Sequence, residues 1–85
     1  MTTDRRLKLT TRQLAEFVLH TYRARGITVD DLCRVGRARF MQTHIAERDA
    51  KPERWLHVVA PTDDEISAMY DELLLLFALT PSMQH

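Results

Sequence analysis

The sequence predicts an all-α domain, a compact bundle of four helices, and three observations predict it. Only two glycines and three prolines interrupt 85 residues, so little stands in the way of helices. Threonines at positions 10, 28 and 62 each precede a stretch whose apolar residues recur at intervals of three and four. The chain is 45% hydrophobic and 28% charged, which suits one small folded domain and is too apolar for disorder.

The first helix is expected over about residues 11–25. Thr10 and Gln13 have the capping-box spacing, in which each side chain satisfies the other's backbone N–H. Leu14, Phe17, Val18 and Tyr22 form its buried stripe, and Gly26 ends it in a left-handed cap. The second helix follows Thr28 and runs over about 29–49. Asp30 and Asp31 suit the positive end of its dipole. Val29, Leu32, Cys33, Gly36 and Phe40 share one face, whereas Met41 and Ile45 drift off it, which points to a second contact surface or a break near Gly36.

Pro52 fits the first turn of a short third helix over 52–59, with Trp55, Val58 and Val59 inward. An extended reading of WLHVV is the alternative. The fourth helix, 63–79, opens on a second capping box, Thr62 with Glu65. Ile66, Met69, Tyr70, Leu73, Leu76 and Phe77 make one continuous stripe. Leu74, Leu75 and Leu79 lie outside it, so the last turns are apolar nearly all round and call for cover on a second side.

The net charge is zero but unevenly placed. Residues 1–26 carry six basic and two acidic side chains, residues 27–59 six and five, and residues 60–85 five acidic and no basic ones. An acidic partner would meet the N-terminal two thirds. The longest apolar run, 73–79, is far below the roughly 20 residues that span a bilayer. No secretory leader pattern opens the chain, and one cysteine, Cys33, allows no internal disulfide, so a cytoplasmic protein is expected.

Catalysis is not expected. The histidines at 20, 44, 57 and 85 have no partners at metal-ligand spacing, and Cys33 lies on an apolar stripe. The pairs Asp30–Asp31 and Asp63–Asp64 fall in first turns, where the helix dipole accounts for them. There is no glycine-rich phosphate loop and no nucleophile elbow. No cofactor or metal is expected.

Over about residues 17–60 the chain resembles the lambda-repressor-like (XRE) helix-turn-helix family. RARGITVDDL is similar to the family's first helix closing on glycine before a capped second helix. IAERDAKPERWLHVV is similar to the close of its third helix and the opening of a fourth. Fifteen positions separate Leu32 from Glu47, as between the family's helix-two leucine and that glutamate. The sequence departs from the pattern in that Gly36 comes one residue early, leaving Arg37 at the turn position, and Thr43 stands where a larger aliphatic is usual.

The resemblance implies a reading module over 11–60 that binds double-stranded DNA. Arg39, Gln42 and His44 would face the major groove, where guanidinium and carboxamide groups grip base edges. Arg37, Arg48, Lys51 and, from a basic arm over residues 1–9, Arg5, Arg6 and Lys8 would contact phosphates. The helix at 61–80 would then join two copies through Leu73, Leu74, Leu75, Leu76, Phe77 and Leu79, giving a dimeric transcriptional regulator. The alternative is an adaptor, inhibitor or antitoxin-like module that docks another protein through the same apolar helix.

Overall fold

Each α-helix among the described residues opens on a reciprocal pair of hydrogen bonds. In the computed structural model, which describes residues 6–79, α1 spans Thr11–Ala24, α2 Val29–Ala50 and α3 Asp63–Leu79. Gln13 N–H donates to Thr10 Oγ1 at 3.1 Å while Thr10 N–H donates to Gln13 Oε1 at 2.9 Å. Thr62 and Glu65 repeat the exchange at 2.9 and 3.1 Å. Asp31 closes a third such box with Thr28, at 2.9 and 3.2 Å. Hydrogen bonding to Thr28, chiefly from its backbone, holds the Asp31 carboxyl below its ordinary pKa.

The all-α class is as expected, but among the described residues three α-helices form rather than four. The expected helix at 52–59 shortens to a 3-10 turn, Pro52–Trp55. Beyond it the chain extends, and Val58 forms a single parallel bridge with Leu7. Leu7 N–H donates to the His57 carbonyl at 2.7 Å and Val59 N–H to the Leu7 carbonyl at 2.9 Å. The β-branched pair Val58–Val59 takes the backbone partner that a helix would have had to supply internally.

Within α2, Gly36 adopts φ 82°, ψ 162°, a conformation only glycine holds readily. The break takes one residue and divides the helix into 29–35 and 37–50. It resets the helical phase, so Phe40 is buried and Met41 and Ile45, which a continuous helix would turn away, pack against the core.

α3 is the hub. It supplies Ile66, Met69, Tyr70, Leu73 and Leu76, five of the ten buried core residues, against Leu14, Ala15 and Leu19 from α1 and Leu32 and Phe40 from α2. α1 runs parallel to α3: Lys8, just before α1, meets Glu65, and Arg23 near its end lies 5.7 Å from the Phe77 ring centre. α2 runs antiparallel to α3, with Leu32 bonded to Tyr70 and Arg48 to Asp63. No Cα atom of α1 lies within 8 Å of one in α2. Directly packed helices sit about 8–10 Å apart axis to axis, so α1 and α2 flank α3 without closing on each other.

Three side chains depart from expectation. Phe17, placed on the buried stripe of the first helix, is 75% exposed. It stands on the side of Leu14 away from Ala15 and Leu19, which carry the true buried face. Cys33 is exposed rather than packed, and Val29 also reaches the surface. Both lie in the short first segment of α2, which Leu32 alone anchors in the core. Among the described residues, no helix is long and apolar enough to cross a membrane.

Candidate functional site

The space between α1 and α2 is a groove of about 840 Å³, at the upper end of the roughly 300–1,000 Å³ typical of binding pockets. Leu32, Phe40, Ile66 and Met69 lie at its base. Phe17, Val18 and Tyr22 form the α1 wall, and Thr43, His44 and Glu47 the α2 wall. Trp55 and Val58 line it from the 3-10 turn and the extended segment. Phe17 and Val35 edge the groove at 75% and 47% exposure, so the exposed apolar surface stands at the lip, above a floor that is itself buried.

One polar bridge crosses between the walls. The Tyr22 hydroxyl and His44 Nε2 are 2.8 Å apart, and the His44 ring lies against Phe40 with centres 4.3 Å apart. Burial lowers the His44 pKa, partly opposed by the nearby Glu47 carboxylate. Burial likewise raises the Tyr22 phenol, with Glu47 adding to the effect. Both shifts favour the neutral form of their group. The Trp55 indole N–H, also buried here, has no hydrogen-bond acceptor.

Several of the residues expected to meet DNA are engaged within the chain. Arg37 is held by α3: one guanidinium nitrogen donates to the Ser67 carbonyl at 2.8 Å and to Asp71 Oδ2 at 3.0 Å, and the group lies over the Tyr70 ring. Arg48 donates to Asp63 at 2.7 Å, to Asp49 at 3.0 Å and to the Pro61 carbonyl at 3.1 Å. Lys8 pairs with Glu65 at 2.9 Å. His44 is turned into the groove. Arg39, Gln42 and Lys51 are exposed, as is Arg6, whereas Arg5 lies outside the described residues. The acidic charge of α3 is therefore drawn onto cations of the same chain, at three points along it.

The apolar end of α3 divides in a similar way. Leu73 and Leu76 are buried in the domain's own core, and Leu74 and Phe77 pack against it. Leu75 and Leu79 remain 47% and 59% exposed. No group of three His, Cys, Asp or Glu side chains among the described residues is placed to hold a metal ion.

The groove was not foreseen from the sequence, because it exists only where two helices fail to meet over a third. Phe17 carried the one available signal: with Ala15 and Leu19 centring the buried face of α1, an aromatic at 17 lies about 160° round the helix from both, on the far side. Compared with protein-family models, curated proteins and solved structures, the chain matches none.

Proposed function

We propose that this chain is a non-enzymatic protein-docking module whose working surface is the groove between α1 and α2. Phe17 is the observation that carries the reading. Fully burying a phenylalanine side chain stabilises by about 1.5–3 kcal/mol, and here most of that gain is unrealised at the lip of an apolar groove. A partner that lays an apolar face into the groove realises it, in the manner of helix-in-groove recognition. The docking role is that of an adaptor or inhibitor, carried by the groove in place of the C-terminal helix. A cytoplasmic setting suits the exposed thiol of Cys33, which a reducing compartment preserves.

Site-specific photo-crosslinking in the source cell tests this. A benzophenone side chain at position 17 should capture a discrete protein, while the same group at position 75, an exposed leucine outside the groove, should not. Equal labelling from both positions, or none from position 17, removes the support for a groove-based module.

A second reading, a DNA-binding regulator related to the helix-turn-helix family, draws on Arg39 and Gln42, which are exposed on the second segment of α2. Fluorescence anisotropy on a random-sequence duplex at about 50 and about 200 mM salt separates the two readings, since phosphate contacts weaken steeply over that range. The docking module leaves the anisotropy flat at both salts. A DNA-binding regulator gives binding that collapses at the higher one.

A further inference from the structure

We infer that the occupant of the groove is a second copy of this chain, which inserts its own Phe17. The inference rests on the docking reading and names the partner. A closed two-fold pair requires one surface that is knob and hole at once, because the same patch meets itself. The groove face has both features. Phe17 projects from the lip, and the recess beside it presents the half-buried side chains of Val18, Trp55 and Val58 above a buried floor of Leu32, Phe40 and Met69.

The charges agree with self-pairing. A surface built for a strongly acidic or basic partner carries one sign, whereas this rim carries both: Arg25, Arg48, Lys51 and Arg54 alongside Asp31 and Glu47. Arg25 and Asp31 both stand at the end where α1 gives way to α2. A two-fold axis running along the groove lays α1 of one copy over α2 of the other, which sets Arg25 of each opposite Asp31 of its mate. The chain's net charge of zero removes overall repulsion between copies. Paired in this way, two α1–α2 layers face each other between two outer α3 helices, and Phe17 of each copy leaves water in the recess of the other.

Sedimentation equilibrium of the full chain, from about 1 to about 200 μM, a span that brackets micromolar association, tests the inference. Wild type should be a dimer at the upper end. Phe17→Asp should raise the dissociation constant at least about 30-fold, as loss of an interface hot spot does, with the helical circular dichroism unchanged. Val35→Asp should weaken the dimer in the same sense, and Leu75→Asp should leave it intact. Trp55, the chain's single tryptophan and part of the groove wall, gives an independent readout. Its emission should shift to the red on dilution, with the midpoint of the sedimentation data. A monomer at every concentration overturns the inference, and so does a dimer lost with Leu75→Asp and kept with Phe17→Asp. If the chain is monomeric while position 17 still cross-links another protein, the docking reading survives without self-pairing. Should both experiments fail, both readings fall.

Discussion

Tyr22 and His44 hold α1 and α2 at a fixed separation: their hydroxyl and Nε2 atoms are 2.8 Å apart across helices whose backbones do not touch. The bond tolerates either direction, since neutral imidazole accepts a hydrogen bond from the phenol O–H and imidazolium would donate one to its oxygen. Its pH dependence therefore comes from burial rather than from loss of the bond. The folded His44 pKa lies below the ordinary 6.5, so the unfolded chain binds that proton more readily. Stability is fully present above about 6.5 and declines as pH falls below it. Urea midpoints at pH 7.5 and 5.5 should show this decline, and His44→Gln should flatten it. An equal slope in the variant would assign the effect elsewhere.

Removing the Tyr22 hydroxyl leaves a half-buried imidazole nitrogen without its partner. Tyr22→Phe should lower unfolding stability by about 1 kcal/mol at neutral pH, read from denaturant unfolding with an unchanged m value. An unchanged midpoint would mean that water replaces the hydroxyl at no cost.

The break in α2 makes a prediction of its own. A Cβ added at Gly36 meets nothing within 4 Å, so the cost of Gly36→Ala is one of backbone conformation alone. At φ 82°, ψ 162° that cost is about 1–3 kcal/mol. Tyr70 reinforces the same point from α3: its hydroxyl donates at 3.0 Å to the carbonyl of Leu32, in the last turn before the break. Tyr70→Phe strips a buried acceptor of its donor and should destabilise by about 1–3 kcal/mol. Both variants are measured by urea unfolding, and their double mutant shows whether the two supports act on one element.

The exposed pair Arg37–Asp71 separates the docking and DNA readings. Asp71→Asn partly releases the guanidinium from α3, leaving its bond to the Ser67 carbonyl, and removes one negative charge. If the chain binds DNA, the release should tighten binding and steepen the log–log salt dependence by about 0.9 for the added phosphate contact. If it is a docking module, anisotropy stays flat for wild type and variant alike.

The helix starts were legible in the sequence because they are local chemistry. Thr10 with Gln13 and Thr62 with Glu65 need only a spacing of three, and each marks the turn where its helix opens. The 63–79 helix was readable at both ends for the same reason, with a dense leucine run filling it. Asp31 was read as a dipole partner and also closes a cap, a distinction that spacing alone contained. The segment after Trp55 was not legible, because whether Val58 lies in a helix or extends depends on Leu7, about fifty residues earlier. Phe17 was misplaced because leucine, phenylalanine and valine at 14, 17 and 18 satisfy helical spacing on two overlapping faces, and only packing on α3 chooses between them.

The candidate site was less legible than the fold. Arg37 and Arg48 have the composition of a phosphate-binding face, yet their partners are the carboxylates of α3 some 34 and 15 positions away. A charge tally along the chain treats the basic and acidic stretches as opposite ends of a polarised molecule. In three dimensions α3 lies between α1 and α2, so part of that polarity is neutralised internally. What remains exposed is the surface that no local pattern announces, an apolar groove bounded by helices that do not touch.

The bridge between Leu7 and Val58 has a kinetic consequence. It joins the residues ahead of α1 to the segment ahead of α3, closing a circuit of about fifty residues with two backbone hydrogen bonds. Contacts that close long circuits carry the largest loop-closure entropy and are costly to form before the helices have docked. Held by only two backbone hydrogen bonds at an exposed Leu7, the clasp should open more readily than the helix packing, and its release should loosen the start of α1 while α2 stays docked on α3. Hydrogen exchange at the Leu7 and Val59 amides should then report a partial opening well below global unfolding, one that widens the mouth of the groove from the end where Val58 and Trp55 stand.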